Sequence, residues 1–429
     1  MRDWAILWIL GAFIYASWRR PWLGVLALAV FAYMQPQGYG WEAVRGMPVF
    51  LILFLAVAAA TAYAAYRREL TWPDWDWRVL LLLLLWGWFC VTTWQSKVLL
   101  MAWPKLIEVT KVLLPLALTL LLIDSRKKLL YLIAAIAMAI GLVTLKGGYW
   151  AVMHGFSDRV YGPPHSQYYD NNHFAVLMVM NIPLLILLLR ETANNSLRWV
   201  LMVLIGLHYA AVISSWSRGA MLALGATTLI LLWRARRPYL FIGLLLVGVA
   251  GAFLLLPDAW FQRMETIATE AAAGSTAGRL RIWHMGIDAA LHNPLLGLGF
   301  EGWWIAAKIT ARHAVDWHSI YVEILAEHGF PGLLLWLALL LGTLFGLTRL
   351  IYLSRRGRYA VWAADYGAML QAALIGYAVG GAFLGISYWN IFYHLIILAI
   401  IAIRLAQQTS QQNRQNRESS VMLRQVEIR

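Results

Sequence analysis

Apolar residues run through this chain in blocks that are hydrophobic on every face, such as Leu80 to Leu85 and Leu333 to Leu341. An amphipathic surface helix alternates its faces every 3.6 residues and a barrel strand every two; these blocks do neither. They fit helices in lipid, where about 20 residues cross a hydrocarbon core of about 30 Å. The pattern predicts helices near 47-66, 79-93, 103-123, 129-148, 171-190, 198-214, 219-233, 238-256, 330-350, 362-385 and 389-404, preceded by two shorter apolar segments at 4-17 and 21-34. Whether those two both cross decides the side of the N-terminus, so the expected count is about 12. The fold class is therefore an all-α polytopic membrane protein. It divides into N-terminal membrane helices (1-256), a long helical outer loop (257-329), C-terminal membrane helices (330-404) and a basic tail (405-429).

Composition agrees: 61% of residues are hydrophobic and 13% charged, and the 24 tryptophans suit anchoring at membrane interfaces. The N-terminal apolar segment ends in Trp18-Arg19-Arg20-Pro21 rather than at a small-residue cleavage site, so no cleavable leader is expected. Cys90 is the single cysteine and excludes an intramolecular disulfide.

Charge then orients the bundle, because short basic loops stay in the cytoplasm. The basic connectors are Tyr66-Arg67-Arg68, Ser125 to Lys128, Arg190 to Arg198, Arg234 to Arg237 and Ser354 to Arg358, with the tail from Arg404 onward. All can share one side. The net charge of +14 thus reflects orientation rather than nucleic-acid binding. The glutamine-rich tail is expected to be a disordered cytoplasmic end. The opposite connectors are 35-46, 94-102, 149-170, the turn from Ser214 to Arg218, the long loop 257-329 and the turn from Ser387 to Asn390. Almost every candidate functional residue falls on that outer side.

Arg218, in Ser215-Trp216-Ser217-Arg218-Gly219, sits at the outer mouth of an apolar helix. It either snorkels to headgroups or forms an anion site. Lys146 occupies a similar depth, whereas Lys105, Glu108 and Lys111 can neutralise one another along a helix face. The segment from Arg159 through Tyr161 to Asp170, Asn171, Asn172 and His173 is too polar to be explained by helix capping alone, although Asp170 or a neighbouring Asn suits an N-cap. In the long loop, Ser275 or Thr276 opens a helix through Arg279, Trp283 and Gly286 that ends at Asn293-Pro294. Arg279 and Arg281 are two residues apart and diverge by about 200°, so one faces the site and the other does not. Gly297 to Gly302 satisfies G-x-G-x-x-G, but no strand or βαβ unit surrounds it, and the glycines are read as a tight turn. Asp316-Trp317-His318-Ser319 opens a further helix. Placed in its first turn, His318 is kept neutral by the helix dipole and can accept a proton. The loop histidines His284, His292, His313, His318 and His328 match no metal-binding spacing, so no metal is expected.

Ser217-Arg218-Gly219, Gly278-Arg279-Leu280 with Trp283, Asn293 to Gly299, and His318-Ser319 with Glu327 and Gly329 together resemble the bacterial O-antigen ligase and polymerase superfamily. Lys146-Gly147, Arg159 to Pro163 and Asp170 to His173 resemble its O-glycosylation ligase branch. The chain departs from that branch before Ser275, where Ala272-Ala273-Gly274 offers no acidic residue. The resemblance implies a GT-C-type glycosyltransferase in the bacterial inner membrane, active on the periplasmic face without cofactor or nucleotide sugar. Its donor would be a glycan on undecaprenyl diphosphate and its acceptor the lipid A-core of lipopolysaccharide. Arg218 and Arg279, with Lys146 and Arg159, would hold the diphosphate, and His318 would act as general base in an inverting transfer. Tyr161, Asp170, Asn171, His173 and Arg281 are further candidate contacts. A polymerase, a protein O-glycosylation ligase and, more distantly, a lipid-linked glycan transporter remain open, as does the oligomeric state.

Overall fold

A computed structural model describes residues 1–164, 166–235, 238–269, 275–309 and 316–427. His165, the Arg236-Arg237 pair, Ala272 to Gly274 and His313 lie outside them. Among the described residues there are helices and no strands. In chain order they are α1 (Arg2–Arg19), α2 (Pro21–Met34), α3 (Glu42–Arg45), α4 (Val49–Tyr66), α5 (Trp77–Trp94), α6 (Leu99–Leu122), α7 (Arg126–Met153), α8 (Asn171–Glu191) and α9 (Asn195–Ile213). There follow α10 (Arg218–Arg234), α11 (Pro238–Leu255), α12 (Asp258–Thr269), α13 (Ser275–His292), α14 (Trp303–Ile309), α15 (Ile320–Arg355), α16 (Trp362–Gly381) and α17 (Asn390–Glu427).

Seven of these are long and apolar enough to cross a membrane: α4, α5, α7, α8, α9, α15 and the first 23 residues of α17. The chain is thus a multi-pass helical membrane protein. α2 is apolar but only 14 residues long, and α6 carries Lys105, Glu108 and Lys111 along its length. The bundle is built around α8 and α17, whose apolar windows are 78% and 94% buried, against 33% for α4, α5 and α9. That contrast explains the sequence pattern. A helix enclosed by neighbours and a helix exposed to lipid are both apolar all round, so the sequence alone does not separate them.

The tail differs from expectation. Instead of being disordered after Arg404, α17 continues to Glu427. No Gly or Pro interrupts residues 390 to 427, and Arg404 ties the exit to its neighbours by donating to the carbonyls of Leu120 (3.0 Å) and Ile123 (2.6 Å) at the end of α6.

The connectors around Arg126, Arg190 and Arg358 meet the tail at one end. There Arg126 bonds both oxygens of Glu191, Arg190 meets Asp365 at 2.7 Å, Ser410 reaches the carbonyl of Arg358, and Gln408 reaches Asp74. The opposite end is closed by loop-to-loop bonds. Val160 N–H donates to Ser214, Asn171 to Ser215, Ser96 to Leu298 and Trp260 to Ile213.

At this second end, α15 is broken at Gly329, where φ is +66°. Pro331 has no N–H for the carbonyl of Glu327, and the preceding loop together with α5 supplies donors to the carbonyls at the break. Leu298 N–H donates to Ala326 O at 2.9 Å, Gly299 N–H to Glu327 O at 2.8 Å, and the Trp88 ring to His328 O at 2.8 Å. Gly297 and Gly299 both have positive φ and lie against the Glu327 backbone and Ser96. The Asn293 to Gly299 turn thus caps a broken helix, which accounts for its glycines.

Candidate active site

The cleft at this end is lined by Asn172, Ser217, Arg218, Gly219, Arg263, Arg279, Phe383 and Leu384. Each side chain is brought there by a local device. Ser217 caps α10, its Oγ accepting from Ala220 N–H, and this sets Arg218 as the first residue of the helix. Trp216 before it adopts φ +58°. Its indole donates to Phe156 O, while its own carbonyl accepts from Arg263 Nε at 3.2 Å. Asp170 caps α8 by accepting from the N–H groups of Asn172 and His173, which places Asn172 on the cleft. Gly219 packs under Phe383.

Arg279 lies on α13 and lines the cleft, whereas Arg281 is exposed. Trp283 and Gly286 follow Arg279 at helical spacing: Trp283 contacts the Phe383 ring, and Gly286 lies against Trp317 and Val322. The 3.6-residue period thus turns one face of α13 toward the cleft and α15. Burial is the largest cause of a lowered Arg279 pKa, followed by the positive charge of Arg218, with Arg263 adding to it and Asp170 opposing it. Guanidiniums crowded together in a half-buried cleft repel one another and lose hydration, and an anion placed among them would offset both costs.

His318 lies beside this cation cluster. It is not in the first turn of a helix: α15 begins at Ile320 with Ser319 as N-cap residue, and His318 precedes them with φ +50°. The short polar turn at Asp316 to Ser319 leads into the helix without including the histidine. Its pKa is nonetheless lowered from the usual 6.5, chiefly by burial and further by Arg279, against the opposing pull of Asp316 and Asp170. Burial and a neighbouring guanidinium therefore perform the role that the helix dipole was expected to play.

The remaining sequence candidates divide. Asp170 is close enough to act electrostatically on both Arg279 and His318. His173 stands 3.9 Å from Asp170 and edge-on to Trp389. Asn171 is buried and donates to Ser215 O at 2.7 Å, a structural contact that holds two outer loops together. Lys146, Arg159 and Tyr161 are exposed and do not line the cleft, and Tyr161 stacks on Tyr169 instead. Four residues escape the sequence pattern. Arg263 was passed over because nothing in Trp260-Phe261-Gln262-Arg263 marks it beyond a basic position after an aromatic pair in the outer loop. Asp316, whose carboxylate lies against Gly385, was read only as a helix opener. Phe383 and Leu384 fall in an apolar run ending α16 and carry no signal of their own.

Residues 200–337 match the family described as O-Antigen ligase, and residues 1–193 match a second family described as of unknown function. An exopolysaccharide production protein, ExoQ of Rhizobium meliloti (strain 1021), is 26% identical over 161 residues, covering 35% of this chain and 36% of the relative. The chain thus spans about a third of the length of the curated relative it matches. These matches support the O-antigen ligase superfamily, the family resembled by the arginine and histidine motifs.

Proposed function

We propose that this chain is an O-antigen ligase-type glycosyltransferase of the GT-C kind, with about 12 crossings. It transfers a glycan from undecaprenyl diphosphate to the lipid A-core on the periplasmic face of the inner membrane. The observation that carries the reading is the convergence of Arg218, Arg263 and Arg279 beside His318 at the end opposite the basic connectors. Basic connectors stay cytoplasmic, so the cleft faces outward and the C-terminus inward.

In the reaction, an acceptor hydroxyl oxygen attacks the anomeric carbon of the donor glycan as the bond from that carbon to the phosphate oxygen breaks. The hydroxyl proton passes to His318, and undecaprenyl diphosphate leaves with the bonding electron pair. Arg218 and Arg279, with Arg263, hold the diphosphate and stabilise the charge it gains, a contribution typically worth several kcal/mol in a water-poor site. His318 is ready to accept the proton because burial keeps it neutral near pH 7. One-step attack opposite the leaving group inverts the anomeric configuration.

The exopolysaccharide relative favours a second reading, in which the acceptor is a growing polysaccharide. Purified protein in detergent, given a lipid-linked glycan, lipid A-core and chelator, separates the two. Wild type is expected to extend lipid A-core and His318→Ala is not. Lengthening of donor chains alone would replace the ligase reading with the polymerase one, and equal activity of the two proteins would remove His318 as base.

A further inference from the structure

The loop between α16 and α17 lies outside both family matches and touches several parts of the site end. Phe383 and Leu384 line the cleft, and Gly385 abuts Asp316. Ser387 N–H donates to Glu323 and its hydroxyl to Ile320 O. Asn390 accepts from Tyr168, and Trp389 packs on His173. Tyr388 has the most consequential position. Its hydroxyl donates to Glu327 Oε2 at 2.6 Å, while Glu327 Oε1 accepts from the Trp317 indole at 3.2 Å and from Glu301 N–H at 3.0 Å. With its proton given to Glu327, the Tyr388 oxygen accepts from His328 Nε2 at 2.9 Å. His328 Nδ1 is then left to accept from the Thr92 hydroxyl at 2.7 Å. Glu327, His328, Trp317 and Tyr388 are buried.

Trp317 is the residue before His318. Fully buried, it wedges against Gly286 on the helix that carries Arg279, and it is tied to Glu327 on the helix that follows His318. On the other side Ser319 and Ile320 are buried, with Ile320 held by Ser387. His318 therefore sits with φ +50° between two fixed neighbours. A non-glycine residue keeps that conformation only where its surroundings impose it.

We propose that Glu327 and Tyr388 are positioning residues: through the Trp317 indole, their hydrogen-bonded pair fixes His318 relative to Arg279, so the loop after α16 completes the site. The inference rests on the reading of His318 as the proton acceptor. It also makes a structural claim that holds whatever the reaction.

The test compares wild type, Tyr388→Phe, Glu327→Gln, Trp317→Phe and His318→Ala, with Tyr388→Phe also made in the His318→Ala background. Melting temperature is recorded for each, and only variants that melt with wild type are compared. Tyr388→Phe and Glu327→Gln remove or weaken hydrogen bonds while keeping side-chain bulk, and Trp317→Phe removes the indole donor but also trims a fully buried ring. Tyr388→Phe is expected to lower kcat about tenfold, the scale of leaving a buried hydrogen-bonding partner unsatisfied, with donor KM unchanged. In the His318→Ala background it is expected to cost nothing further, a non-additivity that general damage would not produce. Amide hydrogen exchange across 316–320 is expected to quicken in Tyr388→Phe, whatever the protein's reaction. A wild type inert toward lipid-linked glycan would sink the proposed function and leave exchange to decide the positioning claim. Unchanged exchange, or an equal loss in the presence and absence of His318, would overturn the positioning role itself.

Discussion

The two ends of the bundle use the same residue type in opposite ways. At the basic end, arginines stand beside carboxylates: Arg126 with Glu191 at 2.8 Å, Arg190 with Asp365 at 2.7 Å, and Arg78 with Asp76 at 2.6 Å. Their charges are neutralised within the protein, and they fasten connectors together. At the other end Arg218, Arg263 and Arg279 line one cleft, and Arg279 feels its arginine neighbours as repulsion on top of lost hydration. The first arrangement fastens connectors, while the second crowds like charges onto a cleft, where an anion would ease their repulsion. An arginine in a membrane protein thus reads as structural or functional according to what faces it, not according to its depth.

The largest effect that could break this contrast is at His318. His318→Ala should reduce transfer by about 10²- to 10⁴-fold, the range of a lost general base, whereas Arg190→Ala at the basic end should leave turnover near wild type. Comparable losses from both, measured on the same lipid-linked donor, would erase the distinction between the ends. Next come the cleft arginines. Arg279→Ala and Arg218→Ala are each expected to lower kcat/KM by about 10²-fold or more, with Lys a poor replacement because it lacks the planar fork. Full rescue by Lys would mean that charge alone matters.

The pH profile sharpens the comparison further. His318 is held below its usual 6.5 by burial first and Arg279 second, so its neutral, proton-accepting form persists to lower pH than in a free histidine. The acidic limb of kcat/KM should therefore lie below pH 6.5, with activity lost as pH falls through it. In Arg279→Gln the limb should move upward, since a positive neighbour has been removed; a limb that stays in place would separate the two residues. A smaller effect is expected on stability. Gly329→Ala places a side chain at φ +66° and ψ −173°, against the carbonyls of Leu295 and Pro294, and should cost about 1–3 kcal/mol. Arg126→Ala removes a pair whose arginine is 46% exposed and should cost about 1 kcal/mol or less, as read from the thermal midpoint.

The chain's linear pattern was enough to establish an all-helical membrane protein, the segregation of basic connectors, the Asp170 cap on α8 and the start of a helix near Ser275. These follow from hydrophobic length, charge and capping chemistry, which act between residues close in sequence. The arginine and histidine motifs also mark Arg218, Arg279 and His318, the first as a charge at the mouth of an apolar helix and the other two within the long polar outer loop. What tertiary structure alone decided is which of the outer polar residues meet. It placed Arg279 rather than Arg281 on the cleft, added Arg263 and left Lys146 and Arg159 outside. It moved His318 out of the helix into a left-handed turn, and it brought Tyr388 to Glu327 across 61 residues of chain. Such choices depend on how helices pack and where a broken helix finds its missing donors. Those contacts join residues far apart in sequence, and local periodicity carries no record of them.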